Sequence, residues 1–152
     1  MNLKSAAAML ALLLGAQAAG AADSTPAPVV KTDPVIERYR AASERQDWKS
    51  AAALMQEAVA KDPRNADYHN LYAYSLRKSG TRDMDLVFKH YNEALRIDPK
   101  HRGAHEYLGE AYLQVGDVAK AKEQLGALDK LCFFGCEEYD DLKKAIAAYE
   151  KK

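Results

Sequence analysis

From Pro34 onward the chain carries apolar residues at helical spacing, and Gly, Pro and Asp interrupt them at recurring intervals. The last segment, "EEYDDLKKAIAAYEKK", is the simplest case. Tyr139, Leu142, Ala145, Ile146 and Tyr149 form one stripe and the charges take the other side, which predicts an amphipathic helix. Upstream, "KDPRNADYHNLYAYSLRKSG" superimposes on "IDPKHRGAHEYLGEAYLQVG" when Pro63 is set on Pro99. The segments "DWKSAAALMQEAVAKDP", "DMDLVFKHYNEALRIDP" and "DVAKAKEQLGALDKLCF" then superimpose from Asp47, Asp83 and Asp117.

Each unit therefore predicts two helices. Gly80 and Gly116 end the first, because a residue without Cβ takes the left-handed stop conformation freely. The Asp that follows caps the second helix by accepting from its free N–H groups. Pro63 and Pro99 close the second helices, since proline has no N–H for the ladder. Asp33-Pro34 predicts the cap and first turn of the first helix. Small residues such as Ala51, Ala73, Gly109 and Ala121 fall where helices must approach closely; Tyr72, Tyr91, Leu108, Tyr112 and Leu125 fill the space between.

This pattern resembles the tetratricopeptide repeat family. The third unit carries most of the likeness through Leu108, Gly109, Tyr112, Gly116, Asp117, Ala121 and Leu128. The second keeps Ala73, Gly80, Ala94 and Pro99, with an insertion near Thr81-Arg82 and Val87 where the family prefers Ala. The first is recognisable by Asp47, Trp48, Ala51, Ala58 and Pro63, and its first helix departs from the pattern at Arg38. His69 and His105 stand where the family usually places Trp. The tail "CFFGCEEYDDLKKAI" is also similar to that of a group of small secreted bacterial members. The resemblance implies an all-α, right-handed solenoid with units at about 34–63, 64–99 and 100–131. The junction and capping helix span 132–152, because a solenoid needs a polar-faced end.

The N-terminus adds a compartment. Lys4, an apolar run from Ser5 to Ala16 and the small residues Ala16-Gln17-Ala18 and Ala19-Gly20-Ala21 have the layout of a secretory signal peptide. The expectation is a leader over 1–21 cleaved within 18–22, a Pro-rich linker over 22–33 and a repeat domain over 34–152. Export points to the periplasm, with no membrane span after cleavage, because the apolar run is shorter than the roughly 20 residues a bilayer needs. The 22 basic and 22 acidic side chains balance, so neither nucleic acid nor an anionic membrane is favoured as a partner.

Candidate chemistry is sparse. Cys132 and Cys136, four apart at the junction, fit a disulfide by helical geometry and compartment. A redox switch or a soft-metal site remains open beside it, though the motif is not C-x-x-C. His101 and His105 could share a metal, but a zinc site needs three or four ligands. His105 also matches His69 in the preceding unit, which argues for packing. No G-x-S-x-G and no Gly-rich phosphate loop occurs. The expectation is a non-enzymatic protein without cofactor or metal.

What the resemblance implies is a concave face that holds a segment of another protein. Carried over by position, it would include Arg40 and Glu44, then Asn70, Tyr74, Arg77 and Lys78, then Glu106, Glu110 and Gln114. Asn70 would pair with a peptide backbone and Tyr74 would be a flat anchor. Arg77 and Lys78 would take an acidic group, and Glu106 with Glu110 a basic one. The alternative function is a small redox or metal-handling protein built on Cys132 and Cys136.

Overall fold

The computed structural model describes residues 32–151. The expected leader and nearly all of the linker lie outside the described residues. Among the described residues seven helices follow one another: α1 (Pro34–Glu44), α2 (Trp48–Lys61), α3 (Ala66–Lys78), α4 (Met84–Ile97), α5 (Arg102–Gln114), α6 (Val118–Leu131) and α7 (Glu137–Tyr149). No strand occurs among these residues, and no helix here is long and apolar enough to cross a membrane.

The boundaries fall where the caps predict. Asp33, Asp47, Asp83 and Asp117 each accept a backbone N–H, from Val35, Ser50, Leu86 and Lys120, at 2.8–3.2 Å. Gly80 and Gly116 take φ of +78° and +82° after α3 and α5. At the matching place after α1 stands Gln46, with φ +55°, so the first unit makes the same stop with a residue that disfavours it. The insertion in the second unit is absorbed by a short turn, in which Thr81 Oγ1 accepts from the Asp83 N–H at 3.2 Å.

Each helix packs on its chain neighbour, and α3 also meets α5, as α5 meets α7. The opening helices of the second and third units thus lie side by side, and α7 takes the place of the opening helix of a fourth. The core forms three clusters in series. Tyr39, Met55 and Tyr72 anchor the first, Val87, Tyr91 and Leu108 the second, and Leu128, Leu142 and Ile146 the third. The apolar stripe expected on the last helix is the face that enters this third cluster. The repeat of small residues is explained by contact. A Cβ built on Gly109 would lie 2.5 Å from Leu142 Cδ2, so α7 can seat on α5 only where that side chain is missing.

Candidate functional site

The histidines are structural. His69 Nε2 lies 3.1 Å from the Pro63 carbonyl and His105 Nε2 lies 3.0 Å from that of Pro99. Each ring must donate from Nε2 to that oxygen, so Nδ1 is the acceptor. His90 Nδ1, 2.8 Å from His69 Nδ1, then carries its own proton and donates. Burial and the neighbouring His69 hold His90 down to a pKa of about 4, which fits a ring that stays neutral. His105 Nδ1 lies 2.8 Å from Gln124 Oε1; a neutral ring that donates from Nε2 asks for the amide to be turned so that its nitrogen donates there. His101 caps α5: its Nδ1 accepts from the Ala104 N–H at 3.2 Å, and its Nε2 lies 3.1 Å from Asp67. His101 turns to the Ala104 N–H and Asp67 while His105 turns to Pro99 and Gln124, so the two rings do not converge on one point.

Cys132 and Cys136 form a disulfide, with Cα atoms 5.5 Å apart. It ties the end of α6 to the start of α7, whose N-cap residue Cys136 offers no side-chain cap. Phe133 and Phe134 stand almost fully exposed in the loop it closes, at 87% and 96%. Glu138 lies beside the two sulfurs; one ligand atom from each of the three falls within 4.8 Å of the others.

The residues expected on the concave face come from α1, α3 and α5, but they differ in what they can offer. Tyr74 sits between Trp48 and Tyr107, with ring centroids 5.6 and 4.5 Å away. Lys78 is exposed and carries its Nζ 5.6 Å from the Trp48 centroid and 5.9 Å from that of Tyr74. Trp48 and Tyr107 therefore extend Tyr74 into an aromatic strip. Trp48 opens a second helix and Tyr107 does not share the repeat position of Tyr74, so neither falls in the expected set.

Arg40 is exposed and pairs with Glu37 at 2.7 Å. Arg77 is not free to take an acidic ligand group, contrary to expectation. Its side chain is 11% exposed and pairs with Glu110 at 2.5 Å. Burial works against its charge, while the nearby Tyr91 and Glu110 favour it. Asn70 is also corrected: only 4% exposed, it cannot present its amide to a peptide. Its Oδ1 has no hydrogen-bond partner. Arg77, Glu110, Leu113, Gln114, Ala145, Ala148 and Tyr149 line an open hollow of about 480 Å³ between α3, α5 and α7. The capping helix is thus a wall of the face as well as its end.

Glu106 behaves differently from its expected partner Glu110. It is 9% exposed and lines a cavity of about 230 Å³ with Gly103, Tyr107, Glu137, Glu138 and Asp141. Burial pushes its carboxyl up to about 8, reinforced by Glu110, Asp141, Glu138 and Glu137 in that order.

Helix pairs stacked in register, Gly-stopped first helices and Asp-capped second helices define an α-solenoid of the repeat class. The chain is a tetratricopeptide repeat protein in fold. No protein-family model matches the chain. Over 101 residues, 66% of its length, it is 31% identical to an inactive TPR repeat-containing thioredoxin of Arabidopsis thaliana. It spans only 14% of that protein and 13% of a second thioredoxin of the kind. The structure is similar to the Sgt2 TPR domain of Aspergillus fumigatus, with TM-score 0.68 and 24% identity, covering 82% of this chain and 80% of that one. It is also similar to the Yersinia enterocolitica secretion chaperone SycD, solved with a peptide of the translocator YopD. There the TM-score is 0.63 and the identity 16%, over 77% of this chain and 87% of that one.

Proposed function

We propose that the chain is an exported, non-enzymatic interaction module that holds a segment of another protein along the face lined by α1, α3, α5 and α7. The observation that carries this reading is the aromatic strip of Trp48, Tyr74 and Tyr107, flanked by the exposed Lys78 and leading to the hollow walled by α7. Rigid aromatic anchors beside charge suit peptide recognition. The peptide of the translocator YopD on SycD supports the reading by analogy of fold. The leader-like N-terminus supports the periplasm as the compartment.

Native mass spectrometry of the protein from its own envelope fraction tests this. A mature chain shortened by its leader, lacking two thiol hydrogens and holding another chain, is the expected result. Tyr74→Ala with Lys78→Ala should release that chain; retention by the double variant would refute the reading. Arg77 is a poor choice for this test, because its loss also leaves Glu110 without its partner. The second reading, redox or metal handling, rests on Glu138 beside Cys132 and Cys136. It requires a reduced protein that retains a metal such as Cu(I) or Zn(II) through purification.

A further inference from the structure

The cavity around Glu106 sits where α7 leans on α5. The missing side chain at Gly109 sets that approach, and Glu106 lies one turn earlier on the same helix face. Gly103, one more turn back, leaves space where a side chain would stand. Into this space α7 directs Glu137, Glu138 and Asp141. Acidic residues in the first turn of α7 are expected, because the helix N-terminus is partly positive. That accounts for Glu137 and Glu138. It does not account for Asp141 in the second turn, nor for Glu106 in the middle of α5.

Glu106 is the independent observation. It belongs to another element, is more than nine-tenths buried, and faces the cavity. Among the described residues its surroundings are burial and other carboxylates, with no hydrogen bond or ion pair to it. A buried carboxyl without a donor is costly, and a donor from outside would relieve it. Three neighbours already have partners: Glu138 with Arg102 at 3.5 Å, Asp141 with Lys144 at 2.9 Å and Glu110 with Arg77 at 2.5 Å. Those cations stand outside the cavity lining, so the interior remains acceptor-rich.

We propose that this cavity seats a basic side chain, lysine or arginine, of the bound partner segment, with its cationic head against Glu106, Glu137 and Asp141. The assignment rests on the interaction-module reading and names the chemistry one position of the partner must have. A divalent ion fits less well, since it needs several oxygens at about 2.0–2.6 Å from one point. No three of these carboxylates bring ligand atoms within 4.8 Å of one another. A guanidinium or ammonium spreads its donors over a wider span. Tyr107 supplies a wall for the methylenes that carry the charge.

Seating a cation should expel the proton that Glu106 holds near neutral pH, so binding should tighten as pH rises toward 8. The other titratable groups lining the cavity are Tyr107 on α5 and Glu137, Glu138 and Asp141 from α7; Glu110 on α5 acts on Glu106 from the neighbouring hollow. His101 adds its ring, 3.6 Å from the Cβ position of Gly103, and Asn70 of α3 adds an uncharged amide at the same distance.

The test is an amide-resolved NMR titration of the full chain with Nα-acetyl-lysine amide at pH 8.5 and pH 6.5. Nα-acetyl-norleucine amide and calcium chloride serve as comparisons. Expected are saturable shifts at Gly103, Glu106 and Asp141 with the lysine probe alone. Affinity should weaken at pH 6.5, by up to about tenfold per pH unit. It should also fall by more than about tenfold in Glu106→Gln, as for a lost close charge pair. Asp141→Asn repeats the test at a half-buried lining residue and leaves Glu106 itself in place. Equal shifts with norleucine amide, tighter binding of calcium, or unchanged affinity in both variants overturns the proposal. If the lysine probe fails while Tyr74→Ala with Lys78→Ala still releases the partner, this assignment falls and the interaction reading stands. If the probe binds but neither that double variant nor Glu106→Gln affects partner retention, the interaction reading falls, and with it the role assigned to the pocket.

Discussion

A Cβ placed on Gly109 would stand 2.5 Å from Cδ2 and 2.7 Å from Cδ1 of Leu142. Leu142 is itself fully buried at the centre of the third core cluster, so it has little room to turn aside. Gly109→Ala should therefore push α7 away from α5 and cost about 1–3 kcal/mol, the usual range for overpacking. A helix-propensity gain of about 1 kcal/mol for Ala over Gly works against this, so the lower half of the range is expected. Urea unfolding at constant m-value measures it. A variant as stable as the parent would mean that α7 seats differently.

Gln46 does with a side chain what Gly80 and Gly116 do without one. All three residues take positive φ. The left-handed conformation costs an ordinary L-residue about 1–2 kcal/mol. Gln46→Gly should then stabilise the domain by about 1 kcal/mol, while Gly116→Ala should destabilise it by a similar amount. Thermal midpoints of the two variants give the comparison directly. A loss of stability in Gln46→Gly would show that the Gln side chain contributes more than its backbone costs.

The contrast at these three positions also shows what could be read before the structure was known. Gly and Asp act locally, through backbone sterics and one side chain to N–H bond. Caps and stops were therefore visible from residue type and spacing alone. Groove residues were visible only as positions. Asn70 and Arg77 look like free polar groups in sequence, yet tertiary packing buries one and pairs the other with Glu110, 33 residues away. Glu106 is expected on the concave face as a site for a basic group, but nothing local says that α7 folds over it and buries it. The disulfide was half legible: the spacing allowed it, and the fold supplies the reason to lock α7 there.

Reduction of Cys132–Cys136 should have a local effect first. Chain-entropy reasoning for so short a loop gives about 2 kcal/mol. Because Cys136 gives α7 no side-chain cap, that helix should loosen ahead of the rest. Hydrogen exchange after reduction should speed up across Glu137–Tyr149 while the α3 and α4 amides stay protected. Uniform acceleration across all helices would show that the bond supports the whole stack instead.

His90 and Glu106 should give the domain a pH profile with two opposed slopes. His90 has a folded pKa depressed to about 4, from an ordinary value near 6.5. Its neutral form is favoured by folding, so stability is complete above about 6.5 and declines as pH falls from there toward 4. Glu106 has a folded pKa raised to about 8, so the folded state holds a proton that the unfolded state has released. Stability from this group declines as pH rises from about 4.5 to 8 and is flat above. Each slope is at most about 1.4 kcal/mol per pH unit for one proton. Between about 4.5 and 6.5 the two oppose each other, and between 6.5 and 8 Glu106 acts without His90. Urea midpoints at pH 6.5 and 8 should therefore fall in the parent chain and hold nearly level in Glu106→Gln, whose amide has no proton to lose. Parallel profiles for the two proteins would mean that Glu106 is already charged at neutral pH, and that its cavity is wetter than its exposure suggests.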